Sequence, residues 1–199
     1  TILRANEKAI LMGVTPDDCF ALIKRLKKKI AIPILIMTYF NIPFRYGLEK
    51  FCKKAKESHV YGLIIPDMPL DEEKYEHYLS ICKKYNLHPK QIISPITPEE
   101  RLRKISKIAS GFVYCVSTLG ITGERSKLSP GLCLYLKKVK KYIKLPVALG
   151  FGISNKAHAV AALQYADIAV IGSKIINLCN ACKGNKTAAV RKFLRTILA

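Results

Sequence analysis

Acidic side chains are scarce in this chain. Its 199 residues hold 14 Asp and Glu against 34 Lys and Arg, a formal net charge of +20. Any acid–base chemistry therefore has few carboxylates to draw on. Long apolar runs are also lacking: none reaches the roughly 18 residues that a membrane-spanning helix needs. The first residues, Thr1-Ile-Leu-Arg-Ala-Asn-Glu-Lys8, offer neither an initiator Met nor the charged-then-apolar layout of a signal peptide. They read as the middle of a helix, so the chain is expected to begin inside a larger protein. The seven cysteines are scattered and odd in number. Cys179 and Cys182 have CxxC spacing, but no second Cys pair or nearby His completes a zinc set. No metal and no cofactor is expected, and a reducing cytoplasm is the expected location. No linker, low-complexity stretch or charge block divides the chain, which predicts a single domain over 1–199.

A charge of +20 raises the question of nucleic acid. The lysines, however, fall on the outer faces of helical patterns, as in Lys24-Arg-Leu-Lys-Lys-Lys29 and Leu136-Lys-Lys-Val-Lys-Lys-Tyr-Ile-Lys144. Apolar residues recur between them at helical spacing, the mark of solvated faces on amphipathic helices. No RNA-binding aromatic motif, zinc finger or helix-turn-helix pattern accompanies them. The reading is no nucleic-acid partner and no membrane, with weak nonspecific attraction for polyanions.

Short β-rich runs alternate with helical patterns along the whole length. The spacing predicts strands over 34–39, 62–65, 91–94, 112–116, 147–151 and 168–171. They are mostly continuous apolar runs, as in parallel sheets covered by helices. Thr15-Pro-Asp-Asp18 and Thr97-Pro-Glu-Glu100 each read as a helix start with a capping box. Two closing helices are expected around 174–182 and 186–198. The last two strand runs end in glycine, at Gly150-Phe-Gly-Ile-Ser154 and Gly172-Ser173. Bare backbone followed by a helix N-terminus suits a phosphate. In a (β/α)8 barrel that position follows strands 7 and 8. Rossmann-like sheets instead place it after the first strand. The fold class is therefore α/β, a TIM (β/α)8 barrel with strands 3–8 in this chain and strands 1–2 upstream or absent.

Five motifs in order resemble the tryptophan synthase alpha subunit family. Gly111-Phe-Val-Tyr-Cys-Val-Ser-Thr-Leu-Gly-Ile-Thr-Gly123 is similar to that family's strand 6 and the loop after it. Gly150-Phe-Gly-Ile-Ser154 and Gly172-Ser173 resemble its phosphate cradle. Leu3-Arg-Ala5 with Gly13-Val-Thr-Pro16 resembles its second helix and exit. Met37-Thr-Tyr-Phe-Asn41 and Pro66-Asp-Met-Pro69 resemble the ends of strands 3 and 4. The resemblance covers essentially the whole chain. It implies retro-aldol cleavage of indole-3-glycerol phosphate to indole and glyceraldehyde 3-phosphate, without cofactor. It also implies a pyridoxal-phosphate-bearing beta subunit as partner in an α2β2 assembly.

On this reading Gly123, Gly152, Gly172 and Ser173 hold the phosphate, and Phe151 stacks on indole. Tyr114 and Thr122 support catalysis, Tyr114 beside the glycerol moiety and Thr122 from the closing loop. Tyr39 and Asn41 are expected at the beta-subunit contact. Of the 14 carboxylates, only Asp67 and Glu124 fall where a barrel mouth would be. The family's acid–base glutamate and its partner aspartate map upstream of Thr1, so no catalytic carboxylate is expected within the chain. Asp67 has two roles open: hydrogen-bonding the Pro66–Pro69 turn, or direct substrate contact. Two other readings are weighed. One is an inactive phosphate-binding or regulatory partner of a beta subunit. The other is a different phosphate-binding barrel, such as indole-glycerol-phosphate synthase, which is expected to show lysines at strand ends where none of the six strand runs has one.

Overall fold

A computed structural model describes residues 1–116, 129–150 and 152–199. Helices α1 (Ile2–Leu11) and α2 (Pro16–Lys27) come before the first strand, β1 (Leu35–Met37). Helices α3 (Asn41–Tyr46) and α4 (Leu48–Glu57) lead to β2 (Gly62–Ile64). A 3₁₀ turn at Leu70–Glu72 and helices α5 (Glu73–Glu76) and α6 (Tyr78–Lys84) lead to β3 (His88–Lys90), with β4 (Ile92–Ile93) close behind. Then follow α7 (Glu99–Ile108), β5 (Val113–Val116), α8 (Pro130–Tyr142), β6 (Val147–Gly150), α9 (Lys156–Leu163), β7 (Ile168–Val170), α10 (Ser173–Ala181) and α11 (Lys186–Leu198). No helix among the described residues is long and apolar enough to cross a membrane.

The strands form two sheets, ordered β1-β2-β3 and β4-β5-β6-β7. Five of the six expected strands stand where the apolar runs put them. The expected strand over 91–94 is instead two pieces: β3 pairs with β2, and β4 neighbours β5. Sequence reasoning passed over His88-Pro89-Lys90 because proline cannot donate to a sheet and two polar residues flank it. The chain forms two compact units, Ala9–Ile92 and Thr1–Lys8 with Ile93–Ala199, and each is described by itself.

In the unit of residues 9–92, β1, β2 and β3 run parallel, with Leu35 opposite Gly62 and Gly62 opposite His88. Their core gathers Phe20 and Ile23 of α2, Phe51, Cys52 and Ala55 of α4, Leu63 of β2, and Tyr78 and Cys82 of α6. Phe20 meets Phe51 edge-on at 5.1 Å, and Tyr46 meets Phe51 edge-on at 5.8 Å. Helix α2 starts as expected. Thr15 accepts from the Asp18 amide at 3.3 Å, and the Asp18 carboxylate accepts from the Thr15 amide at 2.8 Å. Gly62 is fixed by packing, since a Cβ there would stand 2.2 Å from the His88 carbonyl oxygen.

In the other unit, β5, β6 and β7 run parallel, with Val116 opposite Gly150 and Gly150 opposite Val170. Leu102 and Ile105 of α7, Leu132, Leu136 and Val139 of α8, and Val113, Val147 and Leu149 of the sheet are fully buried. The buried Tyr135 hydroxyl donates to the Ile93 carbonyl at 2.8 Å, giving β4 a side-chain partner. Asp167 accepts from the Val147 amide at 2.8 Å and pairs with Lys140 at 3.1 Å. Its carboxyl is held below the usual range, first by that amide. Asp167 thus ties down the amino-terminal end of β6.

Helix α7 corrects one expectation. Its N-cap is Pro98, with no side-chain cap. Thr97 instead turns its hydroxyl back to accept from the Ser94 amide at 2.9 Å. The capping box is broken because a threonine one residue too early satisfies the preceding turn rather than the helix.

Candidate anion-binding site at the ends of β6 and β7

Parallel pairing brings β6 and β7 to a level end, with Gly150 opposite Val170. Gly152 and Gly172 each lie two residues beyond that pair. Gly152 has φ of +85°, a left-handed conformation that side chains rarely adopt, and a Cβ there would meet nothing within 4 Å. Among the described residues, nothing crowds the backbone at this point. Ile153, next in the chain, is buried and anchors it. Asn155 then caps α9 by accepting from the His158 amide at 2.8 Å, and Ser154 hydrogen-bonds His158 at 3.2 Å.

Gly172 is the N-cap of α10, and no side chain caps that helix. A Cβ on Gly172 would also meet nothing within 4 Å. Ser173 is the first helical residue and is exposed. The first amides of a helix have no intrahelical acceptor and carry the positive end of its dipole. Among the described residues, two open glycines, a hydroxyl and a bare helix start supply donors of the kind that a phosphate takes.

Tyr114 lies on β5 opposite Ala148. Its ring reaches across Gly150: a Cβ on that glycine would stand 2.3 Å from the phenol oxygen. Gly150, counted with the cradle in the sequence, therefore makes room for Tyr114. Burial raises the proton affinity of the phenol, so it remains a neutral hydroxyl, able to donate or accept. Replacing Gly150 with valine is expected to displace Tyr114 and cut ligand affinity or turnover roughly tenfold or more, at a stability cost of about 1–3 kcal/mol. A second change, Tyr114→Leu, is expected to relieve the overlap. Urea melts of the single and double variants check this; an additive stability loss excludes the contact.

Thr122, Gly123 and Phe151 lie outside the described residues, as do Gly120 and Glu124. Tyr39 and Asn41 belong to the unit of residues 9–92. Tyr39 is 62% exposed, Met37 and Phe44 are also exposed, and Asn41 opens α3. Asp67 resolves one alternative in detail. Both its oxygens accept from the Phe40 amide, at 2.9 and 3.1 Å, so it braces the start of α3 rather than its own turn.

Lys90 was missed in the sequence. It lies on β3, only 3% exposed, and burial pushes its ammonium down to about 8. None of the six expected strand runs contains a lysine, and β3, which lies outside them, carries this one. Nothing in His-Pro-Lys marks a strand, so the sequence offered no signal for it.

Parallel strands alternating with helices, with open glycines after the last two strands, define a member of the α/β (β/α)8-barrel class. The architecture matches the tryptophan synthase α2β2 complex of Pyrococcus furiosus with a TM-score of 0.91 at 29% identity, over 99% of this chain and 79% of that one. The family model for the tryptophan synthase alpha chain matches residues 1–197. The alpha chain of Methanocaldococcus jannaschii is 41% identical over 179 residues, 89% of this chain and 63% of that protein. The alpha chain of Petrotoga mobilis is 36% identical over 199 residues, 98% of this chain and 76% of that protein. The chain belongs to the tryptophan synthase alpha chain family. It spans 63% of the length of the Methanocaldococcus relative and 76% of the Petrotoga one.

Proposed function

We propose that this chain is the substrate-gripping part of a lyase that cleaves indole-3-glycerol phosphate to indole and glyceraldehyde 3-phosphate. The reading makes it one barrel domain, working as the alpha component of an α2β2 assembly. The observation that carries the reading is the paired Gly152 and Gly172, level beyond β6 and β7, beside the uncapped start of α10. Ser173 and the amides of α10 hold the phosphate. Tyr114, seated over Gly150, stands at the adjoining strand end for the glycerol hydroxyls. Phe151 contributes an aromatic face for indole, and Gly123 and Thr122 close over the substrate. Tyr39 and Asn41, at the start of α3, face a beta subunit, Tyr39 as an exposed aromatic ring.

Retro-aldol cleavage needs one group to take a hydroxyl proton and another to protonate the indole carbon. Several described carboxylates are committed to structure. Asp18 caps α2, Asp67 braces α3, Glu73 accepts from the Leu79 and Ser80 amides, and Asp167 ties β6. The reading accordingly places the acid–base pair outside these 199 residues. Lys90 does not redirect it to indole-glycerol-phosphate synthase, because the family match over residues 1–197 favours the lyase.

The chain contains no tryptophan, so an indole ligand can be followed by its own fluorescence with excitation beyond the tyrosine band. Indole-3-glycerol phosphate is expected to bind, and no indole is expected to be released by the 199 residues alone. Failure to bind overturns the substrate assignment. Release of indole overturns the placement of the carboxylates.

A further inference from the structure

Cys179 and Cys182, whose CxxC spacing completes no zinc set, lie at the end of α10 away from Ser173. Helices α10 and α11 pack against each other, and a groove of about 560 Å³ is lined by residues of both. Cys179 of α10 lines it together with Val190 and Leu194 of α11, and so do Lys186, Arg191 and Arg195. Both cysteines are free and half-buried, open to a small reagent but not to bulk contact.

The backbone places the two thiols on one face. Cys182 is the C-cap of α10, and its amide still donates to the Leu178 carbonyl at 3.1 Å. It therefore stands one turn beyond Cys179, where side chains three apart are neighbours. Such neighbours have Cβ atoms roughly 5–6 Å apart, whereas a disulfide needs about 3.5–4.5 Å. Inside a helix that difference would bar the bond. Here the chain leaves the helix at Cys182, with ψ of 114°. Drawing Cys182 inward costs the last hydrogen bond of α10 and leaves the rest of the helix intact.

The groove also selects the reagent. Arg191 and Arg195 are four apart on α11, so their guanidinium groups lie on the same side of the helix. Together with Lys186 they favour a disulfide that carries carboxylates, which arginine pairs with in bidentate fashion. A cationic disulfide is repelled by the same groups.

We propose that Cys179 and Cys182 form a thiol–disulfide exchange site for a small anionic disulfide of the glutathione type. Cys179 gives up its proton to water, and its sulfur attacks one sulfur of the reagent. The S–S bond of the reagent breaks, and the departing half takes up a proton as a thiol. Cys182, likewise deprotonated, then attacks the Cys179 sulfur of the mixed disulfide. The second half leaves as a thiol, and the Cys179–Cys182 bond closes. Two protein thiols are oxidised and one disulfide is reduced to two thiols, so electrons and protons balance. The site is a modification site that the proposed lyase chemistry does not use.

Reaction of the whole chain with oxidised glutathione, which is anionic, and with cystamine, which is cationic, tests this by peptide mass mapping over time. Cys19, exposed on α2, is the internal reference for the intrinsic reactivity of each reagent. The Cys179-to-Cys19 rate ratio is expected to be roughly tenfold or more larger with oxidised glutathione than with cystamine. The product with oxidised glutathione is expected to be the Cys179–Cys182 disulfide, and Cys182→Ser is expected to stop at the mixed disulfide on Cys179. Arg191→Gln with Arg195→Gln is expected to bring the two ratios together, with a urea melt to verify that the variant is folded. Equal ratios in the unsubstituted chain overturn the selection of an anionic reagent. A mixed disulfide that persists on Cys179 beside an intact Cys182, or reaction confined to other cysteines, overturns the exchange site.

Discussion

Gly62→Ala is expected to lower stability by about 3 kcal/mol, near the upper end of what overpacking costs. The added Cβ would stand 2.2 Å from the His88 carbonyl oxygen, a backbone atom with no rotamer to escape into. Restoring normal contact means separating β2 from β3 by on the order of 1 Å, which weakens the parallel pairing of Gly62 with His88. Other glycines give the scale. Gly13 has φ of +73° and open space around a Cβ, so Gly13→Ala carries only the conformational cost of about 1–2 kcal/mol. Gly184 is open with no left-handed φ, and Gly184→Ala is expected to be neutral or slightly stabilising. Urea melts of the three variants should rank them in that order. A Gly62→Ala protein as stable as Gly184→Ala would contradict the close approach of the strands.

Ser173→Asp is expected to separate binding from stability. A carboxylate on the first residue of α10 places negative charge where the phosphate would sit. It removes a hydroxyl donor and repels the ligand, so phosphate affinity should fall about 100-fold, or roughly 2.7 kcal/mol. The same charge favours the helix dipole, so stability should hold or rise by about 0.3–1 kcal/mol. Ser173→Ala removes only the hydroxyl, and its affinity should fall by roughly tenfold or less. Ligand titration and urea melting on the same samples check both signs. Unchanged affinity in Ser173→Asp rules out α10 as the phosphate grip.

The strands and helices that positioned this site were legible because they rest on local patterns. Continuous apolar runs marked β2, β5 and β6, and Thr15-Pro-Asp-Asp18 marked the start of α2. The Gly152 and Gly172 pair was visible as glycine after an apolar run. What escaped depends on contacts between distant residues. Gly150 reads as part of a cradle until Tyr114, far away in sequence, is seen lying over it. Asp67 reads as a turn residue until the Phe40 amide is found against it. Lys90 is a buried ammonium on a strand opened by His and Pro, and no periodicity foretells that. Thr97 carried the right letters for a cap but sat one position early.

The break between β3 and β4 also bears on how the chain reaches this arrangement. Each parallel pairing joins strands that are neighbours in sequence, and none of the paired strands is farther apart than Val113 and Val147. Closing such loops costs little entropy, because the cost grows only with the logarithm of loop length. Each sheet can thus grow strand by strand as the chain emerges, with no distant partner awaited. The kinetic consequence is that, among the described residues, no parallel pairing waits for a strand more distant than its sequence neighbour, which keeps contact order low for a parallel sheet.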